Sequence, residues 1–256
     1  MNNMVKQKLS NNEAVLGTFF QMASTTAMEC LGITGLDYTI IDTEHGPFDV
    51  ESAMDFIRVA ELKNITPFVR IKDITRSSIL KMLDAGAKGL IIPCVETVEQ
   101  IKNIVEYGKY SPVGKRGFIY GRVSEYGNSE DASSIDKYMK ICNDNTMLIP
   151  QCETLGCLEN IEEIVSMDGV DGIFVGPYDL SIAMGVPGQF DNPEFKKALK
   201  RVLDACRNSG KPIFIFTGSI EAAKSYFEEG YNGVAYNLDT AMYINAFKKA
   251  IEQIKA

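Results

Sequence analysis

The amino-acid sequence predicts an α/β fold, a single (β/α)8 TIM barrel in which residues 1–256 form one domain. Eight short runs are rich in β-branched and aromatic residues and are mostly apolar on both faces, as buried parallel strands are. A helical pattern follows each run, and no linker or shift in composition marks a domain boundary. A doubly wound open sheet is the alternative arrangement of such units.

The eight runs supply the predicted strands of the barrel. They are LGTFF (16–20), DYTIID (37–42), TPFVRI (66–71), GLIIP (89–93), TMLIPQCE (146–153), DGIFVG (171–176), PIFIF (212–216) and NGVAYN (232–237). The helical patterns between them include residues 50–64 and 219–230. The second pattern ends at Gly230, and glycine is the residue type that most often follows a helix.

The last predicted helix, residues 240–255, is amphipathic. Its apolar face carries Met242, Tyr243, Ile244, Phe247 and Ile251. Such a face can pack on the chain's own barrel, which is the default expectation, or it can be exchanged between subunits.

A long segment lies between the fourth and fifth predicted strands, from Pro93 to Thr146. It contains two helical patterns and a loop rich in Gly, Tyr and Arg, SPVGKRGFIYGRVSEYG (111–127). In a barrel, the loops that build the active site lie at the carboxyl ends of the strands. We expect this loop to lie at that rim.

Charge and composition exclude several classes of partner. The chain has 26 Lys and Arg against 34 Asp and Glu, a net charge of −8, whereas nucleic acids and anionic membranes select basic surfaces. No apolar run is long enough to span a bilayer, and the first residues lack the apolar segment of a signal peptide. The six cysteines lack metal-binding spacing, which indicates reduced thiols in a cytoplasmic protein. We therefore expect no nucleic-acid and no membrane partner.

Polar residues collect where the predicted strands end. They are Asp42, Glu44 and His45 after the second strand, Arg70 at the third, Gln151 and Glu153 at the fifth, and Asp179 after the sixth. Each has a structural explanation when it is considered alone: Glu153 can cap a helix, Asp179 can lie in a first helical turn, and Arg70 can be an ion-pair partner. His45, however, is the only histidine in the chain. Together, at the face where barrels carry out chemistry, these residues predict a metal and proton-transfer site.

Glu153 and Asp179 suit a hard divalent cation such as Mg²⁺ or Mn²⁺, because two oxygen ligands leave positions for water and for a chelating substrate. Zinc is disfavoured, since one histidine and scattered cysteines cannot supply its usual ligands. A 2-oxo acid could chelate the metal while Arg70 opposes the enolate charge and the backbone amides of GPYD (176–179) hold the carboxylate.

Six motifs, in this order, resemble the HpcH/HpaI family of class II pyruvate aldolases, which includes the 4-hydroxy-2-oxoheptanedioate and 2-keto-3-deoxy-rhamnonate aldolases. The motifs are IIDTEHGPFD, FVRI, LDAGAKGLIIP, SPVGKRG, QCET and GVDGIFVGPYDLSIAMG. The resemblance covers nearly the whole chain. It implies a (β/α)8 barrel, a divalent metal (Mg²⁺ or Mn²⁺, or alternatively Co²⁺) and reversible cleavage of a 4-hydroxy-2-oxo acid to pyruvate and an aldehyde. It also implies a homohexamer with an exchanged C-terminal helix.

The resemblance also implies roles for single residues. His45 matches the general base and Arg70 matches the residue that stabilises the enolate-like transition state. Asp84 of MLDAG matches a carboxylate that raises the basicity of the histidine, while Asp42 and Glu44 are nearer in sequence and compete for that role. A carboxylate beside His45 would fix one tautomer and keep the ring basic enough to take a proton, through water, from the C4 hydroxyl. Cleavage of the C3–C4 bond would leave a pyruvate enolate that is then protonated.

The remaining matches concern the metal and the substrate. Glu153 and Asp179 match the metal ligands, and Asp179 also borders the substrate. Gln151 matches a substrate contact, and Gly176 and Tyr178 belong to the segment whose backbone meets the pyruvate carboxylate. Small molecules, a 2-oxo acid and an aldehyde, are therefore the expected partners.

Two segments depart from the family pattern, and two other functions compete with the aldolase. Residues 117–127 differ from the heptanedioate-cleaving members, and FTGS (216–219) is more polar than the aliphatic stretch expected there. Both segments could shape the aldehyde pocket. A citrate-lyase-like acyl-CoA lyase is one alternative, although the acidic chain shows no clear basic cluster for CoA phosphates. A barrel that only binds a 2-oxo acid is the other.

Overall fold

The computed structural model describes residues 2–256 and contains a closed barrel of eight parallel strands, paired in chain order with the first strand beside the last. All eight predicted strands are present, each within two residues of its predicted bounds. The strands are Val15–Phe20 (β1), Tyr38–Asp42 (β2), Thr66–Arg70 (β3), Gly89–Ile92 (β4), Met147–Cys152 (β5), Ile173–Val175 (β6), Ile213–Thr217 (β7) and Gly233–Leu238 (β8). The predicted (β/α)8 barrel is confirmed, and the open sheet is wrong.

Helices surround this barrel. In residues 2–256 they are Met4–Ser10 (α1), Thr25–Gly32 (α2), Val50–Leu62 (α3), Arg76–Ala85 (α4), Val98–Gly108 (α5), Ile135–Asn145 (α6), Leu155–Glu159 (α7), Ile161–Ser166 (α8), Pro177–Ala183 (α9), Pro193–Asn208 (α10), Ile220–Glu229 (α11) and Asp239–Lys255 (α12), with two 3₁₀ helices at Arg122–Gly127 and Glu130–Ala132. Gly230 ends α11 in the left-handed conformation with φ 96°, as its position predicts. None of the helices in this part of the chain has both the length and the apolar character that crossing a membrane requires.

The interior of the barrel is filled by the inward-facing side chains of the strands. Side chains alternate between the two faces of a strand, so Tyr38 and Ile40 of β2 belong to the interior cluster while Ile41 packs outward with the helices. The next inward position on β2 is Asp42, at the carboxyl end. The same alternation therefore fills the barrel with apolar side chains and brings polar ones to its rim.

Helix α1 packs at the amino end of the barrel, and the sequence pattern alone does not predict it. Val5 of this helix joins the interior cluster. The Asn3 side chain caps α1 and donates hydrogen bonds to the carbonyls of Lys88 (3.0 Å) and Asn145 (2.8 Å), which precede β4 and β5. These partners are far away in the chain, so the packing depends on contacts that no local pattern contains.

The Gly/Tyr/Arg-rich loop, residues 111–127, does not lie at the carboxyl rim of its own barrel, and that expectation is wrong. The loop follows α5, not a strand, and it precedes α6 and β5. Arg122 donates hydrogen bonds to the Ala85 carbonyl (3.0 Å) and to Glu61 (2.7 Å), near the ends of α4 and α3. Each of these helices leads back to the start of the next strand, so the loop is fixed at the amino end of the barrel.

Glycine is required where aromatic rings fill the barrel interior. A Cβ atom at Gly89 would lie 2.8 Å from Cδ1 and Cε1 of the Phe68 ring, which belongs to the fully buried interior cluster. We expect Gly89→Ala to lower the free energy of unfolding by about 1–3 kcal/mol, because overpacking forces the ring or the strand to shift. Urea unfolding at one fixed protein concentration measures this change.

Gly218→Ala is the matched control, because no atom lies within 4 Å of the added methyl group and Gly218 does not adopt a left-handed conformation. We expect the control to stay within about 0.5 kcal/mol of the wild type. Equal stabilities for the two variants would show that the barrel interior has room that the packing at Gly89 does not indicate.

Candidate active site

The polar residues predicted from the strand ends meet at the carboxyl end of the barrel. Asp42 of β2 pairs in register with Arg70 of β3, and Gln151 of β5 pairs with Phe174 of β6. Phe174 belongs to the interior cluster itself. Asp42, Arg70 and Gln151 each lie two residues after a member of that cluster, so they also point inward, directly above the apolar layers. These four residues are therefore positioned by strand register and not by loops.

A buried ion pair between Asp42 and Arg70 forms the centre of the site. The guanidinium donates from Nε to Oδ1 (2.9 Å) and from Nη2 to Oδ2 (2.8 Å), and Gln21 Nε2 donates a third hydrogen bond to Oδ2 (2.8 Å). Asp42 is fully buried. Burial alone would raise the pKa of Asp42, but the hydrogen bonds and charge of Arg70 outweigh it and lower the pKa below its ordinary value. Asp42 is therefore a fixed anion.

Arg70 receives two further contacts. Its Nη1 atom lies 3.2 Å from Glu44 Oε2, and its Cζ atom lies 4.8 Å from the centre of the Phe19 ring. Burial acts to lower the pKa of Arg70, but the bonds and charges of Asp42 and Glu44 raise it above its ordinary value. The guanidinium is thus permanently charged and held on three sides, with little freedom to reorient.

His45 lies at the mouth of the site. Its side chain is exposed and lines the pocket, while its main-chain N–H donates to Asp42 Oδ1 at 3.3 Å. Asp42 thus holds the turn that carries His45, and its carboxylate is engaged by Arg70 and Gln21. Burial raises the pKa of Glu44, and the charges of Arg70 and His45 act in the opposite direction.

Glu153 and Gln151 form the opposite side of the site. Glu153 Oε1 accepts a hydrogen bond from the Cys94 main-chain N–H (2.6 Å), and Oε2 accepts one from Gln151 Nε2. Cys94 adopts a left-handed conformation with φ 55°, which is uncommon outside glycine. Burial raises the pKa of Glu153, the carboxylates of Glu44 and Asp179 add to this, and the two hydrogen bonds offset it only in part.

The segment after β6 approaches this side closely. A Cβ atom at Gly176 would lie 2.9 Å from Gln151 Nε2 and 3.0 Å from Glu153 Oε2, so only glycine fits without a shift of these groups. Asp179 lies in the first turn of α9 with an exposed side chain, and Tyr178 is also exposed. Both line the pocket.

The pocket itself has a volume of about 140 Å³ and two chemically different sides. It is lined by Phe19, His45, Arg70, Gln151, Phe174, Gly176, Pro177, Tyr178, Asp179, Phe216 and Leu238. The aromatic side is rigid: the Phe19 ring packs edge-on against Phe216 (5.7 Å between centres) and against Phe174 (5.9 Å). The other side carries the guanidinium of Arg70, the imidazole of His45, the carboxylate of Asp179 and the amide of Gln151.

The structure brings most of the predicted site residues together. His45, Arg70, Gln151, Gly176, Tyr178 and Asp179 line the pocket, and Asp42 and Glu153 contact lining residues. Asp84 is the exception. It lies near the end of α4, the helix that leads back to the amino end of the barrel, and its carboxylate accepts a hydrogen bond from Arg116 at 2.8 Å. Within one chain, Asp84 is not beside His45.

Several residues that take part in the site were not identified in the sequence analysis. Gln21 follows β1 directly and binds Asp42, so extending the strand-end argument to the first strand would have found it. Phe19 lies on a strand whose apolar pattern gives no sign of a pocket. Cys94 contributes its main-chain N–H, which side-chain chemistry cannot reveal.

The donor set fits a hard divalent cation. Within residues 2–256, no three His, Cys, Asp or Glu side chains converge closely enough to hold a metal by themselves. Asp179 is close enough to Glu153 for its charge to add to the raised pKa of Glu153, and Gln151 Oε1 is a buried acceptor without a hydrogen-bond partner. Two carboxylates and an oxygen acceptor suit Mg²⁺ or Mn²⁺, which keep several positions for water and substrate.

Comparison with known proteins identifies relatives over the full length of the chain. The model of the family described as HpcH/HpaI aldolase/citrate lyase matches residues 16–246. A hydroxypyruvate/pyruvate aldolase of Roseobacter denitrificans is 34% identical over 248 residues, which cover 96% of this chain and 94% of that protein. A 2-keto-3-deoxy-L-rhamnonate aldolase of Klebsiella pneumoniae subsp. pneumoniae is 29% identical over 258 residues, which cover 100% of this chain and 94% of that protein.

A solved structure shows the same architecture. An HpcH/HpaI aldolase/citrate lyase family protein from Burkholderia cenocepacia J2315 superposes with a TM-score of 0.92 at 30% identity, and the match covers 100% of both chains. The agreement extends over the whole barrel, including the strands that carry the site.

The buried ion pair generates a prediction about stability. We expect Asp42→Ala to lower the free energy of unfolding by about 3–5 kcal/mol, because it leaves the Arg70 charge buried without its main partner. Urea unfolding at fixed protein concentration measures the loss. Asp204→Ala is the matched control, since Asp204 pairs with Lys200 on the exposed surface, and we expect about 0.5 kcal/mol or less. Similar losses in both variants would mean that the Arg70 charge is satisfied without Asp42.

Proposed function

This chain belongs to the HpcH/HpaI aldolase/citrate lyase family, and we propose that it is a divalent-metal-dependent aldolase that reversibly cleaves a 4-hydroxy-2-oxo acid to pyruvate and an aldehyde. The family and the aldolases among its relatives confirm the predicted carbon–carbon lyase class. One observation carries the proposal for the site: a guanidinium fixed by a buried carboxylate lines one small pocket together with Asp179 and with Gln151, whose amide is bonded to Glu153.

Glu153 and Asp179 are the proposed metal ligands, with Mg²⁺ or Mn²⁺ as the preferred ion and Co²⁺ as a substitute. When bound, such an ion would draw electron density from the ketone of the substrate. Glu153 is oriented for this role by the Cys94 N–H and by Gln151, which occupy one lone pair on each oxygen. Asp179 is exposed at the pocket, so a cation can reach it from solvent.

Arg70 is proposed to stabilise the negative charge that develops on the enolate oxygen. Its charge is already in place before the reaction, because Asp42 and Glu44 hold the guanidinium and Phe19 covers one face. A preorganised donor needs no reorganisation during the reaction, which is the main reason such groups accelerate it. Gln151 Oε1, which is buried and has no partner, is the proposed acceptor for a polar hydrogen of substrate or bound water.

His45 is proposed as the general base that takes the proton of the C4 hydroxyl, directly or through one water. Its side chain is exposed at the mouth of the pocket, where the leaving aldehyde must depart. Of the three carboxylates considered as partners, Asp42 is engaged by Arg70 and Gln21, and Asp84 is paired with Arg116. Glu44 also contacts Arg70, through Oε2 (3.2 Å from Nη1), but it precedes His45 directly in the chain, so we propose Glu44 as the carboxylate that supports the imidazole within one chain.

The aromatic side of the pocket is proposed to contact the part of the substrate that leaves as the aldehyde. Phe216, in the segment FTGS (216–219), lines the pocket between Phe19 and Tyr178. This supports the suggestion that the departure from the family pattern at FTGS affects the aldehyde. Residues 117–127, fixed at the amino end of the barrel, do not line the pocket of their own chain.

The two competing functions make different demands on the pocket. An acyl-CoA lyase needs cationic groups for the CoA phosphates, but Arg70 is the only Lys or Arg among the residues that line the pocket, and it is paired with carboxylates. A barrel that only binds a 2-oxo acid does not need a base, yet His45 stands at the mouth. The aldolase is the function for which each polar lining residue has a role.

We also propose that the protein is a homohexamer in which α12 is exchanged between subunits. The apolar face of this helix is about half exposed in the single chain: Met242 43%, Tyr243 56%, Ile244 51%, Phe247 56% and Ile251 47%. An apolar groove of about 660 Å³ runs between α2, β1 and the first turns of α12. An exposed apolar helix face beside an apolar groove is typical of subunit interfaces. The number of six subunits comes from the resemblance to the family.

A cytoplasmic location and a single domain over residues 1–256 complete the proposal. The six cysteines are all free thiols, and four of them are buried, which supports a reducing compartment. The eight strands that span the chain close into one barrel, which supports one domain.

The first test is deuterium exchange into the methyl group of pyruvate, followed by NMR. We expect exchange with Mg²⁺ or Mn²⁺ and none with EDTA, because enolate formation needs the cation. We expect Arg70→Lys to slow exchange about 10²-fold, since it replaces a fixed two-point donor. The control is Arg201→Lys, whose guanidinium pairs with Glu162 on the surface, and this variant should match the wild type.

The same assay separates the competing functions. His45→Ala should lower cleavage of a 4-hydroxy-2-oxo acid about 10²–10⁴-fold, as loss of a general base does, and by a larger factor than it lowers pyruvate exchange. Folded, metal-loaded protein that shows no pyruvate exchange would contradict the aldolase and favour the acyl-CoA lyase or the non-catalytic barrel.

The subunit arrangement is tested by size. We expect the double variant Phe247→Asp, Ile251→Asp to form smaller particles than the wild type in light scattering, because the new charges would be buried at the interface. Lys249→Asp, on another face of α12, introduces a similar charge and should leave the size unchanged. A double variant with the size of the wild type would show that α12 does not hold the subunits together.

A further inference from the structure

A chain of hydrogen bonds joins the first residue of α12 to the active site. Asp239 begins this helix, is buried (7% exposed), and accepts hydrogen bonds from the main-chain N–H groups of Gln21 (3.0 Å to Oδ1) and Met22 (2.9 Å to Oδ2). Its Oδ1 also accepts the Thr240 N–H at 2.7 Å. These hydrogen bonds therefore join the turn after β1 to the first residue of α12.

The next link runs through the Gln21 side chain. Gln21 Nε2 donates to Asp42 Oδ2 at 2.8 Å, the same oxygen that accepts Arg70 Nη2 at 2.8 Å. Phe19, two residues before Gln21, places its ring against the Arg70 guanidinium. The end of β1 thus touches the catalytic arginine directly through Phe19 and indirectly through Gln21 and Asp42.

We propose that Gln21 is a positioning residue, which fixes Arg70 through Asp42. Asp239 holds Gln21 in place, so the first residue of α12 is coupled to the catalytic arginine. The proposal rests on the proposed function, because it is there that Arg70 acquires its role. Neither Gln21 nor Asp239 lines the pocket, so both act through other residues.

The geometry explains why a third hydrogen bond matters. A carboxylate that accepts only the two bonds of a guanidinium can swing together with it as one planar unit. A third donor, approaching Oδ2 from the residue that follows β1, fixes the plane of the carboxylate and therefore the plane of the guanidinium. Since Asp42 is fully buried, no water can substitute freely for the lost amide.

The test compares Gln21→Met with wild type in pyruvate methyl exchange. Methionine has a similar length but no donor. We expect the maximal rate to fall about 10–100-fold with little change in the KM for pyruvate, because misplacing a catalytic group by about 1 Å can cost 10²-fold. Gln21→Asn, which keeps an amide that is too short to reach Asp42, should fall similarly. Gln7→Met, an exposed amide on α1, is the matched control and should keep the wild-type rate.

A double-variant cycle shows whether Gln21 acts through Asp42. If it does, Gln21→Met should change the rate of an Asp42→Asn enzyme by less than about twofold, since the two positions belong to one pathway. Asp239→Ala should lower the rate in the wild-type background and have a smaller effect once Gln21 is methionine. If the loss of rate in a double variant equals the product of the losses in the two single variants, the proposed pathway is wrong.

An observation that does not depend on activity separates this proposal from the proposed function. In protein labelled with ¹⁵N-arginine, the Arg70 Nε–H signal can be assigned by its loss in Arg70→Lys, and its exchange with solvent can be followed by NMR. We expect exchange at least about tenfold faster in Gln21→Met, because an open ion pair exposes the proton. Unchanged exchange and an unchanged rate would overturn the proposal. Wild-type protein without pyruvate exchange would instead overturn the proposed function, while the Nε–H measurement would still decide the role of Gln21.

Discussion

Closing eight parallel strands into a barrel leaves every second side chain pointing into a space that has no room for water except at its ends. Interior positions must therefore be apolar until a strand reaches the rim, where polar groups can meet solvent or a ligand. The alternation from Tyr38 through Ile40 to Asp42, and from Phe68 to Arg70, follows from this constraint. The position of the ion pair and the polar rim of the pocket both depend on that register.

The charges around the pocket are not balanced by the protein alone. Arg70 interacts with Asp42, Glu44 and Glu153, and Asp179 stands close enough to Glu44 and Glu153 to raise the pKa of each. Burial is the first cause of the raised pKa values, and repulsion between carboxylates adds to it. An added cation would reverse that repulsion. The repulsion between these acids in the free chain would give way to attraction for a shared cation, which supports the proposed ligand roles of Glu153 and Asp179.

The sequence predicted the parts of this molecule that depend on local pattern. All eight strands and the helices α3, α11 and α12 could be read from apolar periodicity, and the pocket residues from His45 to Asp179 follow from strand ends. The position of Asp84 beside Arg116, the packing of α1, and the attachment of residues 111–127 at the amino end could not. These features depend on pairs of residues that are distant in the chain, and the main-chain donor at Cys94 leaves no trace in side-chain chemistry.

Asp239 fixes only the first residue of α12, so the helix can tilt about that residue. The helix comprises 17 residues and is about 25 Å long, at about 1.5 Å per residue. Its first residue is clamped to the turn after β1, whereas its remaining length is largely exposed in the single chain. A tilt of about 10° around this fixed pivot would carry the far tip about 4 Å while the catalytic end moves hardly at all. Neighbouring molecules could therefore adopt a range of contacts at the tip without disturbing the chemistry, provided that the clamp at the pivot holds.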